Sequence, residues 1–314
     1  MSVDVTALKT LAEEKKLPLE RLINAIENEV AKAYAELPLA KPHGRAVLNR
    51  QTGEILIYVP LLGPDGDRID TVTDNPDGFA KLADKTARKV IKEKMREAKD
   101  LEVVTEFSGS VGDVIGGIVQ QGRDAEVIYV SLGRVEGKIP PAEQVKGEVY
   151  KHGDRIKSFV VDVKQGEKGP EVTLSRTHPA FVKMLFALEV PEIKERVVDI
   201  VGIAREPGAR TKLSVRTHRA GVSAKGALIG PQGSRAQNVM NELNGEKIDI
   251  IDFSDDPATY VANALAPARV TSVEIVDLES KSAKVIVPDF QLSLAIGKDG
   301  QNARLAARLT QWRI

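Results

Sequence analysis

The sequence predicts a multidomain α+β protein: an α/β head, a long linking helix, a five-stranded barrel, and two tandem copies of one further α+β unit. Three observations predict it. Gly230-Pro231-Gln232-Gly233 recurs 67 positions later as Gly297-Lys298-Asp299-Gly300, in matching surroundings. Between Glu106 and Ser175, short apolar runs alternate with glycines. Ahead of that, two long stretches space their apolar residues as helices do.

Composition narrows the function. At 314 residues the chain holds more than one domain, and 42% hydrophobic residues suffice for ordinary cores. It has no cysteine, which excludes disulfides, a thiolate nucleophile and a cysteine zinc site. Met1 to Lys16 is polar and charged, without a signal-peptide pattern. No run reaches the roughly 18 apolar residues of a membrane span. A soluble, cytoplasmic protein without a membrane contact is expected. The histidines His43, His152, His178 and His218 are isolated, and Asp65, Asp67 and Asp70 lack the glutamate that closes a calcium loop. No metal, no cofactor and no enzymatic activity are expected.

Residues 4–36 read as helical, with Leu8, Leu11, Leu17, Leu22, Ile26 and Val30 among Glu and Lys. Pro38 and Pro42 end that region. Strands are expected at Arg45–Asn49 and Ile55–Pro60, joined through Gln51-Thr52-Gly53. A second turn, Gly63-Pro64-Asp65-Gly66-Asp67, leads to a strand near Ile69–Val72. A helix then runs from Phe79 to Lys99, roughly 30 Å at ~1.5 Å per residue, with a basic face and an apolar stripe.

The next segment reads as five strands: Val114–Gln120, Ala125–Leu132, Glu136–Pro140, Arg155–Lys164 and Glu171–Leu174. Glycine turns between short strands suggest an OB-type barrel. The fragment Gly133-Arg134-Val135-Glu136-Gly137-Lys138-Ile139-Pro140, with Gly153-Asp154 and Leu174-Ser175-Arg176, resembles the S1 RNA-binding domain.

After Pro179 comes a helix (Ala180–Glu189), strands at Val197–Arg205 and Thr211–His218, a helix, the first loop, a helix (Ser234–Leu243) and a strand (Lys247–Phe253). The second unit repeats the order: Ala258–Leu265, Val270–Leu278, Ala283–Val287, a helix, the second loop, Gln301–Thr310. A strand begins at Trp312-Arg313-Ile314 and is expected to continue past the chain's end. A Gly-x-x-Gly loop between two helices resembles the KH fold, which clamps four nucleotides of single strand there. The helix-first order resembles its bacterial, type II, form. Glycine lets a sugar-phosphate chain pass close over the backbone, and the following helix N-terminus favours an anion. One such loop is an ordinary helix cap; two in matching contexts point to a binding device.

Net charge is zero, from 45 basic and 45 acidic residues, so a uniformly basic coat is excluded. From Arg205 to Arg235, however, Arg205, Arg210, Lys212, Arg216, Arg219, Lys225 and Arg235 face only Glu206: seven bases against one acid, a local charge of +6. The residues expected to contact RNA in the first unit are Lys225, Ile229, Gly230, Pro231, Gln232, Gly233, Ser234, Arg235 and Asn238, with Arg210 and Lys212 upstream. In the second they are Ile296, Gly297, Lys298, Asp299, Gly300, Gln301, Asn302 and Arg304.

The order of parts, together with Glu189-Val190-Pro191-Glu192-Ile193, Ala204-Arg205-Glu206-Pro207-Gly208-Ala209-Arg210-Thr211-Lys212, Gly245-Glu246-Lys247-Ile248-Asp249-Ile250-Ile251 and Leu292-Ser293-Leu294-Ala295-Ile296-Gly297-Lys298-Asp299-Gly300-Gln301-Asn302-Ala303-Arg304-Leu305-Ala306, resembles the NusA family of bacterial transcription factors. The match is specific over about residues 100–314 and looser before. It implies a head (1–104) that docks on RNA polymerase at the β-subunit flap, an S1 domain (105–178), and KH domains at 179–252 and 253–314. It further implies a monomer that binds nascent single-stranded RNA, works with other antitermination factors, and modulates pausing, termination and antitermination. Two departures stand out. The barrel face around Gly122 to Val130 offers Gln120, Gln121, Arg123, Asp124 and Glu126, with Tyr129 its one aromatic, which weakens base stacking. Gln232 stands where many relatives carry a base inside the first loop. The alternative is a general RNA chaperone or ribosome-assembly factor of the same modules, which would need no docking face on the helix bearing Glu13, Glu14, Glu20, Glu27, Glu29 and Glu36.

Overall fold

The computed structural model describes residues 3–15, 17–62, 64–65, 67–167 and 169–314. It divides into two compact units, residues 1–105 with 165–170, and residues 106–164 with 171–314.

In the first unit the helical region at 4–36 is two helices, α1 (Val5–Glu14) and α2 (Leu19–Ala35), a correction to the single helix expected. Pro18 causes the break: it stands at the N-cap of α2, and a proline disfavours helical backbone in the residue before it. Along α2, Leu22, Ile26, Val30 and Tyr34 recur every four residues and are buried. They face an antiparallel sheet of β1 (Arg45–Leu48), β2 (Ile55–Leu62) and β3 (Arg68–Thr73), in that spatial order. Gly63 and Gly66 of the expected second turn lie outside the described residues. Tyr34 closes the bottom of this core. Its hydroxyl donates to the Asp74 carboxylate and accepts from the Lys41 backbone N–H at 2.8 Å, while Lys41 Nζ lies 2.7 Å from Asp74.

Helix α3 (Phe79–Ser108) has 30 residues, about 45 Å. It runs nine residues past the expected stop at Lys99. No glycine or proline interrupts it before Gly109, and apolar Leu101, Val103, Val104 and Phe107 continue the pattern.

The barrel, which apart from residues 165–170 belongs to the second unit, consists of β4 (Val114–Gln120), β5 (Ile128–Ser131), β6 (Glu136–Ile139), β7 (Arg155–Gly166) and β8 (Gly169–Ser175). It closes in the order β4-β5-β6-β8-β7, with β7 returning to β4 and one parallel pair, β6 with β8. Val130, Ile139, Val160, Val172 and Leu174 fill it.

Then come α4 (Pro179–Glu189), the short α5 (Pro191–Lys194), β9 (Val198–Glu206), β10 (Arg210–Thr217), α6 (Ala224–Ile229), α7 (Ser234–Glu242) and β11 (Lys247–Asp252). Strand β10 is central, antiparallel to β9 and parallel to β11. The next fold repeats it with α8 (Pro257–Ala264), β12 (Ser272–Asp277), β13 (Ser282–Ile286), α9 (Asp289–Ile296) and α10 (Gln301–Thr310). After α10, Arg313 makes one parallel bridge to Ser282, the edge that β11 occupies in the first copy.

Cores are shared between the modules of this unit. Phe159 of the barrel packs into the cluster of Phe181, Leu185, Phe186, Leu213, Leu228 and Val239. Ala204 and Ile251 of the first repeat pack with Tyr260, Ala264, Leu305 and Leu309 of the second.

Candidate nucleic-acid interface

The two loops have the same backbone. Gly230 (φ 72°, ψ 175°) matches Gly297 (φ 76°, ψ 169°), and Gly233 (φ 79°, ψ 8°) matches Gly300 (φ 73°, ψ 12°). Between them Gln232 (φ 52°, ψ 24°) matches Asp299 (φ 53°, ψ 29°). In each, the N–H of the last glycine donates to the carbonyl of the first at 3.1 Å.

The glycines of a loop differ in purpose. At Gly230 a Cβ would stand 2.6 Å from Arg235 Cγ, and at Gly297 2.8 Å from Asn302 Cβ and N. The φ/ψ there belong to a region that only glycine visits freely, so the first glycine is needed by the loop itself. At Gly233 a Cβ would meet nothing within 4 Å, and at Gly300 only Arg304 Nη1 at 4.0 Å. The second glycine therefore leaves open space. It stands at the N-terminus of α7 or α10, and no side chain caps either helix. The N–H that opens each helix turns back into its loop, Ser234 to the Pro231 carbonyl and Gln301 to the Lys298 carbonyl, and the helix N-terminus behind it favours an anion.

The exposed loop residues are Pro231, Gln232, Ser234, Lys298 and Asp299, with Gln301 half-buried. Among the described residues, Lys225, half-buried on α6, and Lys298 form no ion pair within 4.0 Å. Ile229 is half-buried beside the first loop. Beside the second, α9 leaves Phe290, Leu292, Leu294 and Ile296 exposed, of which sequence reasoning singled out only Ile296. The signal was there: apart from Asp289, Gln291 and Ser293, α9 is apolar all round, a pattern foreign to a solvated helix.

The basic cluster is largely neutralised, which corrects the local charge expected from sequence. Lys212 is 0% exposed; its ammonium donates to Asp249 (3.0 Å) and to the Ala266 carbonyl (2.6 Å). Burial lowers its pKa against the pull of Asp249. It ties the two repeats together and presents no charge to a ligand. Arg210 chelates the same Asp249 at 2.7 and 2.9 Å. Arg205 is buried against Glu246, and Arg216 lies over the Phe253 ring at 5.3 Å. Parallel pairing of β10 with β11 sets Lys212 opposite Asp249, a signal that a strand register would have given.

Asn302 is a second correction. It is 2% exposed and donates to the Leu265 and Ala295 carbonyls at 2.9 and 3.1 Å, so its amide secures the helix joint. Arg235 pairs with Glu192 at 2.9 Å and donates to the Ala227 carbonyl at 2.8 Å. Asn238 donates to Glu189 at 3.0 Å, and Arg304 pairs with Glu206 at 2.7 Å.

On the barrel, a Cβ at Gly122 would stand 1.7 Å from the Tyr129 ring. The Gly122 backbone thus packs against the one aromatic of that face, which is half-buried. In the head, Glu20 pairs with Arg50 at 2.6 Å, Glu29 with Lys32 at 2.6 Å, and Glu27 accepts from the Leu48 N–H at 2.9 Å. Glu13, Glu14 and Glu36 remain exposed on α1 and at the end of α2. No helix among the described residues is long and apolar enough to cross a membrane.

Residues 176–253 match the family model of the NusA-like first KH domain, and residues 257–314 that of the NusA-like second KH domain. Over its whole length the chain is 46% identical to the transcription termination/antitermination protein NusA of Mycobacterium bovis, spanning 92% of that protein. The chain belongs to the NusA family. The NusA protein of Bacillus subtilis is 42% identical over 98% of this chain and 88% of its own length. That of Thermus thermophilus is 33% identical over 99% and 88%. The repeated loop is therefore the Gly-x-x-Gly of two NusA-like KH domains, and in this chain the closed five-stranded barrel precedes them.

Proposed function

We propose that this chain is an RNA-binding transcription factor without chemistry of its own, acting in termination and antitermination. The observation that carries the reading is the pair of loops with one backbone geometry, each opening a vacant space beside an uncapped helix N-terminus. The helix N-terminus favours a phosphate's charge, and neither second glycine raises a side chain in its way. The unpaired Lys225 and Lys298 add attraction, and the apolar face of α9 suits bases better than backbone.

In this reading, residues 1–104 form a head that docks on RNA polymerase at the β-subunit flap. Residues 105–178, 179–252 and 253–314 then receive nascent single-stranded RNA. The factor works as a cytoplasmic monomer beside other antitermination proteins. With one half-buried aromatic on its face, the barrel contributes less to RNA affinity than the two KH domains.

Two binding measurements test it together. Residues 1–104 should retain RNA polymerase in a pull-down, and the full chain should bind single-stranded RNA with an affinity that falls as salt rises. RNA binding without polymerase retention would favour the RNA-chaperone alternative.

A further inference from the structure

The two loops are braced from different places. In the first KH domain the brace is Arg235, which holds the Ala227 carbonyl at the end of α6 (2.8 Å) and Glu192 of α5 (2.9 Å), all within that domain. In the second, Asn302 stands where Arg235 does and secures the helix joint from within the domain, and Arg304 adds a brace that reaches outside it. Its Nη1 donates to the carbonyl of Asp299, inside the loop, at 3.0 Å. Its Nε donates to Glu206 at 2.7 Å, and Glu206 ends β9 of the first domain. Gln301, next to Gly300, donates to the other oxygen of that carboxylate at 2.8 Å, and Arg308 lies 3.8 Å away. These three residues recur at helical spacing, so one face of α10 meets one carboxylate. The Arg304 hydrogen bond, first among the causes, holds the Glu206 carboxyl below its ordinary value, and the group is charged at neutral pH.

We propose that Glu206 completes the second loop from the neighbouring domain, making Arg304 and Gln301 positioning residues for that loop rather than phosphate ligands. The proposal rests on the RNA-binding reading above. Arg304 has donors committed both to a carboxylate and to the loop carbonyl. Swinging the guanidinium away to a phosphate would break both. The first loop has no counterpart: Gln237, in the position equivalent to Arg304, bonds Asn241 of its own helix at 2.8 Å. The dependence therefore runs one way. The second loop needs the first domain, and the first loop does not need the second.

The test uses the full chain with Glu206→Gln, Arg304→Gln and both. Hydrogen exchange is followed at the Gly233 and Gly300 amides, which make equivalent bonds. RNA is titrated at several salt concentrations with one single strand long enough for one loop and one long enough for both. Each variant should speed exchange at Gly300 and leave Gly233 unchanged. Each should weaken the longer RNA about fivefold, spare the shorter one, and leave the salt slope alone; the double variant should be no weaker than the worse single one. A direct phosphate contact predicts otherwise: Arg304→Gln would flatten the salt slope by about 0.7, and Glu206→Gln would tighten binding. That pattern, or unchanged exchange at Gly300 in every variant, overturns the brace. Failure of the unaltered chain to bind either RNA would instead overturn the RNA-binding reading, and the exchange result would still decide the brace.

Discussion

Gly230 and Gly233 stand three residues apart, yet a side chain at each should have opposite consequences. Alanine at Gly230 or Gly297 meets occupied space in a backbone region reserved for glycine. A loss of about 2 kcal/mol or more in chemical denaturation is expected for each. Aspartate at Gly233 and Gly300 enters open space in the left-handed region, which costs about 1 kcal/mol and preserves the fold. RNA binding should nevertheless be abolished, because a carboxylate would fill the phosphate's place and repel it. Circular dichroism beside an RNA titration reads both effects; a folded double variant with unaltered affinity would remove the loops from the interface. A second residue, Gln311, ends α10 with φ 62° and ψ 29°, where glycine is the usual occupant. Gln311→Gly should raise stability by about 0.5–1 kcal/mol, the gain being trimmed by loss of the amide's bond to the Arg308 carbonyl at 2.7 Å. A lower melting temperature would contradict this.

Helices and strands were legible in the sequence because their signals are local. The α2 stripe, the glycine-punctuated barrel and both KH repeats follow from spacing, and α10 runs over the span its pattern marks. The break before Pro18 needed the restriction that proline places on its predecessor. The continuation of α3 to Ser108 needed only the absence of a breaker. What spacing could not give was the pairing of charges between elements far apart in the chain. Arg205 meets Glu246 across 41 positions, and both side chains are buried. That carboxylate also accepts from the Gly208 N–H at 2.8 Å and from Thr211. Glu246→Ala would leave the Arg205 guanidinium buried without its counter-charge, an expected loss of about 3–5 kcal/mol in the denaturation free energy. An unchanged midpoint would mean that Arg205 finds water instead. In the head, Asp74 titrates low because Lys41, then Tyr34, hydrogen-bond its carboxylate. A depressed carboxylate adds stability above its unfolded value, near 3.8, that is lost as pH falls through the lower folded value. Asp74→Asn should abolish that acid limb in urea midpoints of residues 1–104 measured against pH, while an identical profile would show the cluster to be inert.

Three modules of the second compact unit are joined by buried charge as well as by shared cores. Arg176, 2% exposed, holds Glu148 of the barrel at 2.5 and 2.7 Å and the Glu242 carbonyl of α7 at 2.9 Å. Tyr260 of the second KH domain bonds Ser214 of the first at 2.9 Å, and Lys212 reaches across to Ala266. Phe107, within α3, packs against the barrel core, so a fragment beginning at Leu101 keeps that contact where one beginning at Gly109 loses it. Residues 101–314 should therefore fold, keep the RNA affinity of the full chain and lose polymerase binding; a fragment that fails to fold would show the boundary to be wrong. The same joints decide how RNA is held. Two sites on a fixed scaffold turn the second contact into an intramolecular event, and its gain is set by geometry rather than by a flexible linker. Only 253–256 separate β11 from α8, too little chain for the KH domains to drift apart. A single-stranded RNA crossing both Gly-x-x-Gly loops should thus bind about a hundredfold tighter than one half its length. Gly300→Asp should remove most of that advantage and leave the short RNA nearly unchanged. Equal affinities for the two lengths would mean that the loops do not share a strand, and the KH domains would then be independent readers held side by side.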